Sequence, residues 1–179
     1  KKENFHRPIV YQNYLHPEEM FNYITYHKAS QVLHMLRYLI GDHLFFQSIN
    51  HYFHNYAFKS VDTENFISIV EETAGQNLNW FWKAWIFDFV YPDLSIREIK
   101  DNRITIENIG GLPIPVSLKI TFSDNSVKEI YKTAEVWKGN DKAIKLSFDD
   151  SKQVKKLELS DMFLIPDVNR GNNIYIVKN

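Results

Sequence analysis

Apolar residues between Glu18 and Ile40 fall at Ala29, Val32, Leu36 and Leu39/Ile40. These steps of three and four place them on one face of an amphipathic helix. Pro17 suits the first turn and Gly41 the terminus, and the pattern allows a break in two near Thr25. A second helix is predicted from about Asp42 to Asn55. A third begins at Asp62-Thr63-Glu64-Asn65, where a capping side chain precedes Phe66, Ile67, Ile69 and Val70, and Gly75 stops it. A fourth, about Leu78 to Phe87, holds Trp80, Phe81, Trp82 and Trp85 and is apolar nearly all round, so it must be buried.

After Tyr91-Pro92-Asp93 the period changes to two. Leu94–Ile99, Arg103–Ile106 and Val116–Phe122 alternate as half-buried strands do, with turn chemistry at Asp101-Asn102 and Ser123-Asp124-Asn125-Ser126. Further strands are predicted at Lys128–Tyr131, Ala143–Phe148, Val154–Leu159 and Ile174–Val177. The fold class is therefore α+β: an N-terminal all-helical segment of about four helices, then an antiparallel β-sandwich of about seven strands. The boundary near Pro92 is also compositional, since all but six of the 27 aromatic residues lie at or before Tyr91 and all seven histidines lie before position 55.

The formal net charge of −1 provides no field that would draw nucleic acid or an anionic membrane, and neither is expected as a partner. Absence of cysteine excludes disulfides, thiol nucleophiles and thiolate metal sites, and leaves the compartment open. Lys1-Lys2-Glu3-Asn4 leads into a mixed segment rather than a signal-peptide core, so the start reads as internal. The most apolar stretch, Leu78–Tyr91, is interrupted by Lys83 and Asp88 and is too short to span a bilayer, which needs about 20 residues.

The histidines invite a metal, but His51 and His54 at i, i+3 and His27 and His34 at i, i+7 offer two ligands each, and no H-E-x-x-H occurs. Gly110-Gly111 opens no helix and reads as turn chemistry rather than a phosphate loop. No G-x-S-x-G elbow is present. Tyr26 is of more interest: its helical neighbours Ala29 and Ser30 are small, and a phenol is a neutral donor able to stabilise a developing oxyanion at pH 7. On the residues alone, a tyrosine in an aromatic-rich helix is more often packing, and Tyr23 is an equal candidate.

Taken together, Arg7-Pro8-Ile9-Val10-Tyr11, Pro17–Phe21, Tyr26-His27-Lys28-Ala29 and Val32–Phe45 resemble the aminopeptidase N family of zinc metallopeptidases just after their zinc site. The resemblance continues through Val61–Phe66, Glu71–Gly75 and Phe81–Trp85, and more weakly through Leu112–Val116 and Asp167–Asn173. It implies that residues 1–92 are the helical end of a catalytic domain and 93–179 an immunoglobulin-like β-sandwich. It also implies a peptide substrate, and a catalytic role for Tyr26 as the hydrogen-bond donor to the tetrahedral oxyanion.

Two departures accompany it. Ala29 stands where the family has glycine, and the H-E-x-x-H helix with its later glutamate is missing from the chain. The implied zinc then belongs to a larger parent protein, no metal or cofactor is expected on this chain, and the chain alone is expected to be inactive. Without its neighbour, the helical face should favour self-association. A non-catalytic peptide- or protein-binding module from a degenerate relative is the alternative, and a metal site built from the chain's own histidines is a third reading.

Overall fold

A computed structural model describes residues 8–9, 22–139, 141–149, 151–160 and 167–177. A π-helical turn, Tyr23–Lys28, runs without interruption into helix α1, Ala29–Tyr56. Helix α2 is Thr63–Ala74, and α3, Asn79–Trp82, continues as a second π-helical turn, Lys83–Phe87. The predicted start near Glu18 lies outside the described residues. The chain is widened, not broken, at Thr25.

Helical segments before the sheets therefore number three among the described residues, fewer than the four or so expected, because the first runs two helices together across a kink. As predicted, one helix gives way to another at Gly41, whose backbone is non-helical (φ 82°, ψ 160°), so α1 is two helical arms meeting at a kink. Arg37 clasps the bend, its Nε and Nη2 each donating to Asp42 over 2.8 Å. Helix α2 is capped as its sequence requires. Asp62 accepts from the Asn65 amide at 2.9 Å, the Asn65 side chain accepts from the Asp62 amide at 3.0 Å, and Gly75 ends the helix in a left-handed conformation. No described helix is long and apolar enough to cross a membrane.

Seven strands follow among the described residues: β1 Leu94–Lys100, β2 Arg103–Asn108, β3 Val116–Phe122, β4 Val127–Lys132, β5 Ala143–Ser147, β6 Val154–Leu159 and β7 Ile174–Ile176. They form two antiparallel sheets, ordered β1-β2-β5 and β4-β3-β6-β7. Asp101 and Asn102 both take positive φ (50° and 56°), as a two-residue hairpin between right-twisted strands demands. Ile104 and Ile106 of one sheet, and Val116, Leu118, Ile120 and Leu157 of the other, are completely buried.

That core does not stop at Pro92. It is continuous with Leu36, Val70, Phe81, Trp82 and Trp85 of the helical half. Trp85 donates its indole N–H to the Pro113 carbonyl at 3.2 Å, and the amides of Tyr91 and Leu112 bond to the carbonyls of Gly110 and Tyr91. A Cβ on Gly110 would lie 1.9 Å from the Tyr91 carbonyl oxygen, so this close crossing of two chain segments requires glycine there. Gly110-Gly111 is thus a seam between the halves. Below it, Asp167 accepts from the Leu94 amide and Asp93 from the Asn172 side chain, which ties the last strand's approach to the first.

Replacing Trp85 with alanine should cost about 3–5 kcal/mol, the range for truncating a buried aromatic. Because the core is shared, helix and sheet signals should still melt together in denaturant. Two separate transitions, or a loss below about 1 kcal/mol, would contradict a single core.

Candidate active-site surface

The π-helical turn Tyr23–Lys28 sorts its side chains sharply. Ile24 and Lys28 face inward and Lys28 is only 1% exposed, whereas Tyr26 is 65% exposed. Among the described residues the Tyr26 hydroxyl has no hydrogen-bond partner. Insertions of this wide helical form occur often at functional sites, because the extra residue re-aims the side chains around it.

Tyr23 differs from Tyr26 in every respect the sequence could not separate. It is half-buried, its ring packs tilted against His27 with centroids 5.7 Å apart, and burial pushes its phenol up to about 12. Tyr23 therefore packs, and Tyr26 presents a hydroxyl. Beside Tyr26, Ala29 is partly covered, and exposed Ser30 donates its hydroxyl to the His27 carbonyl at 2.9 Å. A substrate could approach the Tyr26 hydroxyl from solvent.

Further along the same face the steps Tyr26, Ser30, Leu33 and Arg37 are four, three and four residues, a continuous stripe. The bend at Gly41 brings Phe45 and Phe46 back against that stripe, and together with Ser30, Leu33, His34 and Arg37 they line a groove of about 190 Å³. Arg37 lies over the Phe46 ring at 5.0 Å and holds the Asp42 carboxyl below the usual carboxylate range. Sequence reasoning missed this groove. Its signal was the pairing of Arg37 with Asp42 across a glycine that had been read as a helix end.

The histidines do not converge. His34 lines the groove, His27 stacks on Tyr23, and His51 Nδ1 lies 3.1 Å from the Thr73 hydroxyl. Among the described residues no three His, Asp or Glu side chains are grouped to hold a metal ion. The zinc implied by the resemblance does not fit the residues described in this chain.

Residues 2–85 match the model of the Peptidase family M1 domain. The helical half is thus similar to the Peptidase family M1 domain. Aminopeptidase M1 of Arabidopsis thaliana is 30% identical over 90 residues, half of this chain and 10% of the relative. Probable aminopeptidase 1 of Saccharolobus solfataricus is 24% identical over 154 residues, 86% of this chain and 18% of the relative. The crystal structure of Legionella pneumophila aminopeptidase A in complex with aspartic acid superposes with a TM-score of 0.60 at 20% identity, covering 83% of this chain and 18% of that one. That likeness carries across the seam into the sandwich and concerns the fold alone. The chain thus spans about a tenth to a fifth of the length of the curated relatives cited here.

Lys28, in the middle of the M1 match, provides a test of this local packing. Burial lowers it from its ordinary 10.5 to about 8. A lysine whose folded value lies below its unfolded one binds fewer protons when folded, so the folded state gains stability as pH rises from about 8 towards 10.5. Tyr23 acts in the opposite sense, its contribution being lost as pH rises from 10 towards about 12. Between pH 8 and 10 the wild-type denaturation midpoint should therefore climb, and Lys28→Met should flatten the climb. A midpoint that is flat in wild type over that interval would mean that Lys28 is not buried.

Proposed function

We propose that this chain acts as part of a zinc aminopeptidase that removes N-terminal residues from peptides, with Tyr26 donating a hydrogen bond to the oxyanion of the tetrahedral intermediate. In this reading residues 1–92 end the catalytic helical domain and residues 93–179 form an immunoglobulin-like sandwich supporting it. The observation that carries the reading is the exposure of the Tyr26 hydroxyl on the face opposite buried Ile24 and Lys28, within the segment that matches the M1 model. A side chain placed for packing would turn the other way, as Tyr23 does. The aminopeptidase names of the relatives support the reaction class.

Chemically, a phenol is suited to this task. It stays protonated at neutral pH, so it donates without first losing a proton, and its rigid ring limits the entropy lost when it is held in place. Water attack on the peptide carbonyl creates an oxygen anion, and a donor preorganised at that oxygen stabilises the transition state more than the ground state. Zinc, with its ligands supplied by sequence outside this chain, would provide the Lewis acid. The residues described here do not hold it, and the chain alone is expected to hydrolyse no peptide even with zinc added.

In the full-length protein, Tyr26→Phe should lower kcat by roughly 10²–10³, as loss of one oxyanion donor does. Activity within a few-fold of wild type would sink the assignment. The isolated chain also presents Tyr38, Phe46, Phe53 and Phe58 to solvent. Sedimentation should show it self-associating as concentration rises, and a clean monomer at high concentration would count against that expectation.

A further inference from the structure

A cleft of about 170 Å³ opens at the seam, with one wall from each half of the chain. The helical wall carries Trp80, Lys83 and Asp88, and the sandwich wall Trp137, Asp141 and Lys142. Buried Ala84 and Pro113 line it between them. The cleft exists only because the two halves pack together, and a ligand in it touches both.

Backbone bonds hold the sandwich wall in place. The Asn108 amide donates to the Lys142 carbonyl at 2.9 Å, and the Asn108 side chain donates to the Leu112 carbonyl and accepts from the Gly111 amide. Trp137 is fixed by its indole N–H on the Ile114 carbonyl at 2.8 Å. A wall already ordered before binding loses little freedom when a ligand arrives.

The lining defines the chemistry. Each wall offers one cation and one carboxylate. Lys83 and Asp88 are loosely paired at 3.8 Å, with side chains 70% and 39% exposed, and such a pair is weak and easily exchanged. Asp141 and Lys142 have no side-chain partner among the described residues. A simple anion drawn by the lysines meets two carboxylates, and a simple cation meets two lysines, so only a ligand of both signs gains from the whole rim. The space equals that of roughly six waters at about 30 Å³ each, too little for a peptide chain. The indole rings and Ala84 add a preference for a short apolar group.

We propose that the seam cleft binds a free α-amino acid with an aliphatic side chain. Lys83 and Lys142 meet its carboxylate, Asp88 and Asp141 its ammonium group, and Trp80 and Trp137 its side chain. The site shares no residue with the Tyr26 surface and needs neither the oxyanion assignment nor the aminopeptidase reading.

Calorimetric titration of the full chain with L-leucine tests it. Leucinamide, which lacks the carboxylate, N-acetylleucine, which lacks the ammonium group, and glycine, which lacks the side chain, are titrated in parallel. Leucine should saturate one site with a Kd on the order of 1 mM, as expected of a ligand with few heavy atoms. Each of the other three should bind about tenfold more weakly or worse. The Lys83→Ser, Lys142→Ser double variant should bind leucine no better than leucinamide. Likewise the Asp88→Asn, Asp141→Asn double variant should bind leucine no better than N-acetylleucine. The wild-type series decides the ligand class even where a variant fails to fold. No saturation at about twenty times the expected Kd, or any of the three controls binding as tightly as leucine, overturns the site. So does leucine binding unchanged in both double variants, which would place the ligand elsewhere on the chain.

Discussion

Trp85 is completely buried, with its indole N–H bound to the Pro113 carbonyl. The last helical turn of the first half and the chain entering β3 cannot separate without exposing the ring and breaking that bond. Phe81 and Trp82 extend the same cluster to Phe66 of α2, where the Phe66 and Trp82 rings meet nearly edge-on at 6.2 Å. Helix α1 reaches it through Leu36. The sandwich therefore acts as a base for the helices, and the orientation of the Tyr26 face is set from the seam outward.

The same contrast of buried and presented side chains recurs within the π-helical turn. Tying Ile24 and Lys28 into the interior leaves Tyr26 facing solvent, and the cost of burying an amine is visible in the lowered Lys28 value. Buried charge is seldom retained for stability alone, since an apolar side chain of similar size often serves as well. Beyond the turn, two helical arms meet at the kink at Gly41.

Much of the sheet half was legible because alternation and turn chemistry are local signals. Asp101-Asn102 and the runs around Val116 and Val154 needed nothing from the rest of the chain. Helix α2 was equally readable from Asp62, Asn65 and Gly75. The change of helix at Gly41 was readable as well, whereas the π-helical widening at Tyr23–Lys28 was not, because no local pattern distinguishes it from an ordinary turn. Nor could spacing distinguish Tyr23 from Tyr26, which are three residues apart on neighbouring faces, and resemblance alone favoured the second. Lys28 would be placed in solvent by any rule that treats lysine as a surface residue. The seam was invisible because it joins Trp85 to Pro113 across 28 residues of chain.

The match to the M1 domain says what the helical half is similar to, and the structure adds which of its surfaces is left open. The central claim is that the Tyr26 hydroxyl meets the oxyanion. A crystal structure of the full-length protein with a phosphonate analogue of the tetrahedral intermediate would test it directly. The account predicts the Tyr26 oxygen about 2.5–3.0 Å from an anionic phosphonate oxygen, with Tyr23 still packed on His27. An analogue oxygen satisfied by other donors, with Tyr26 more than about 4 Å away, would contradict it.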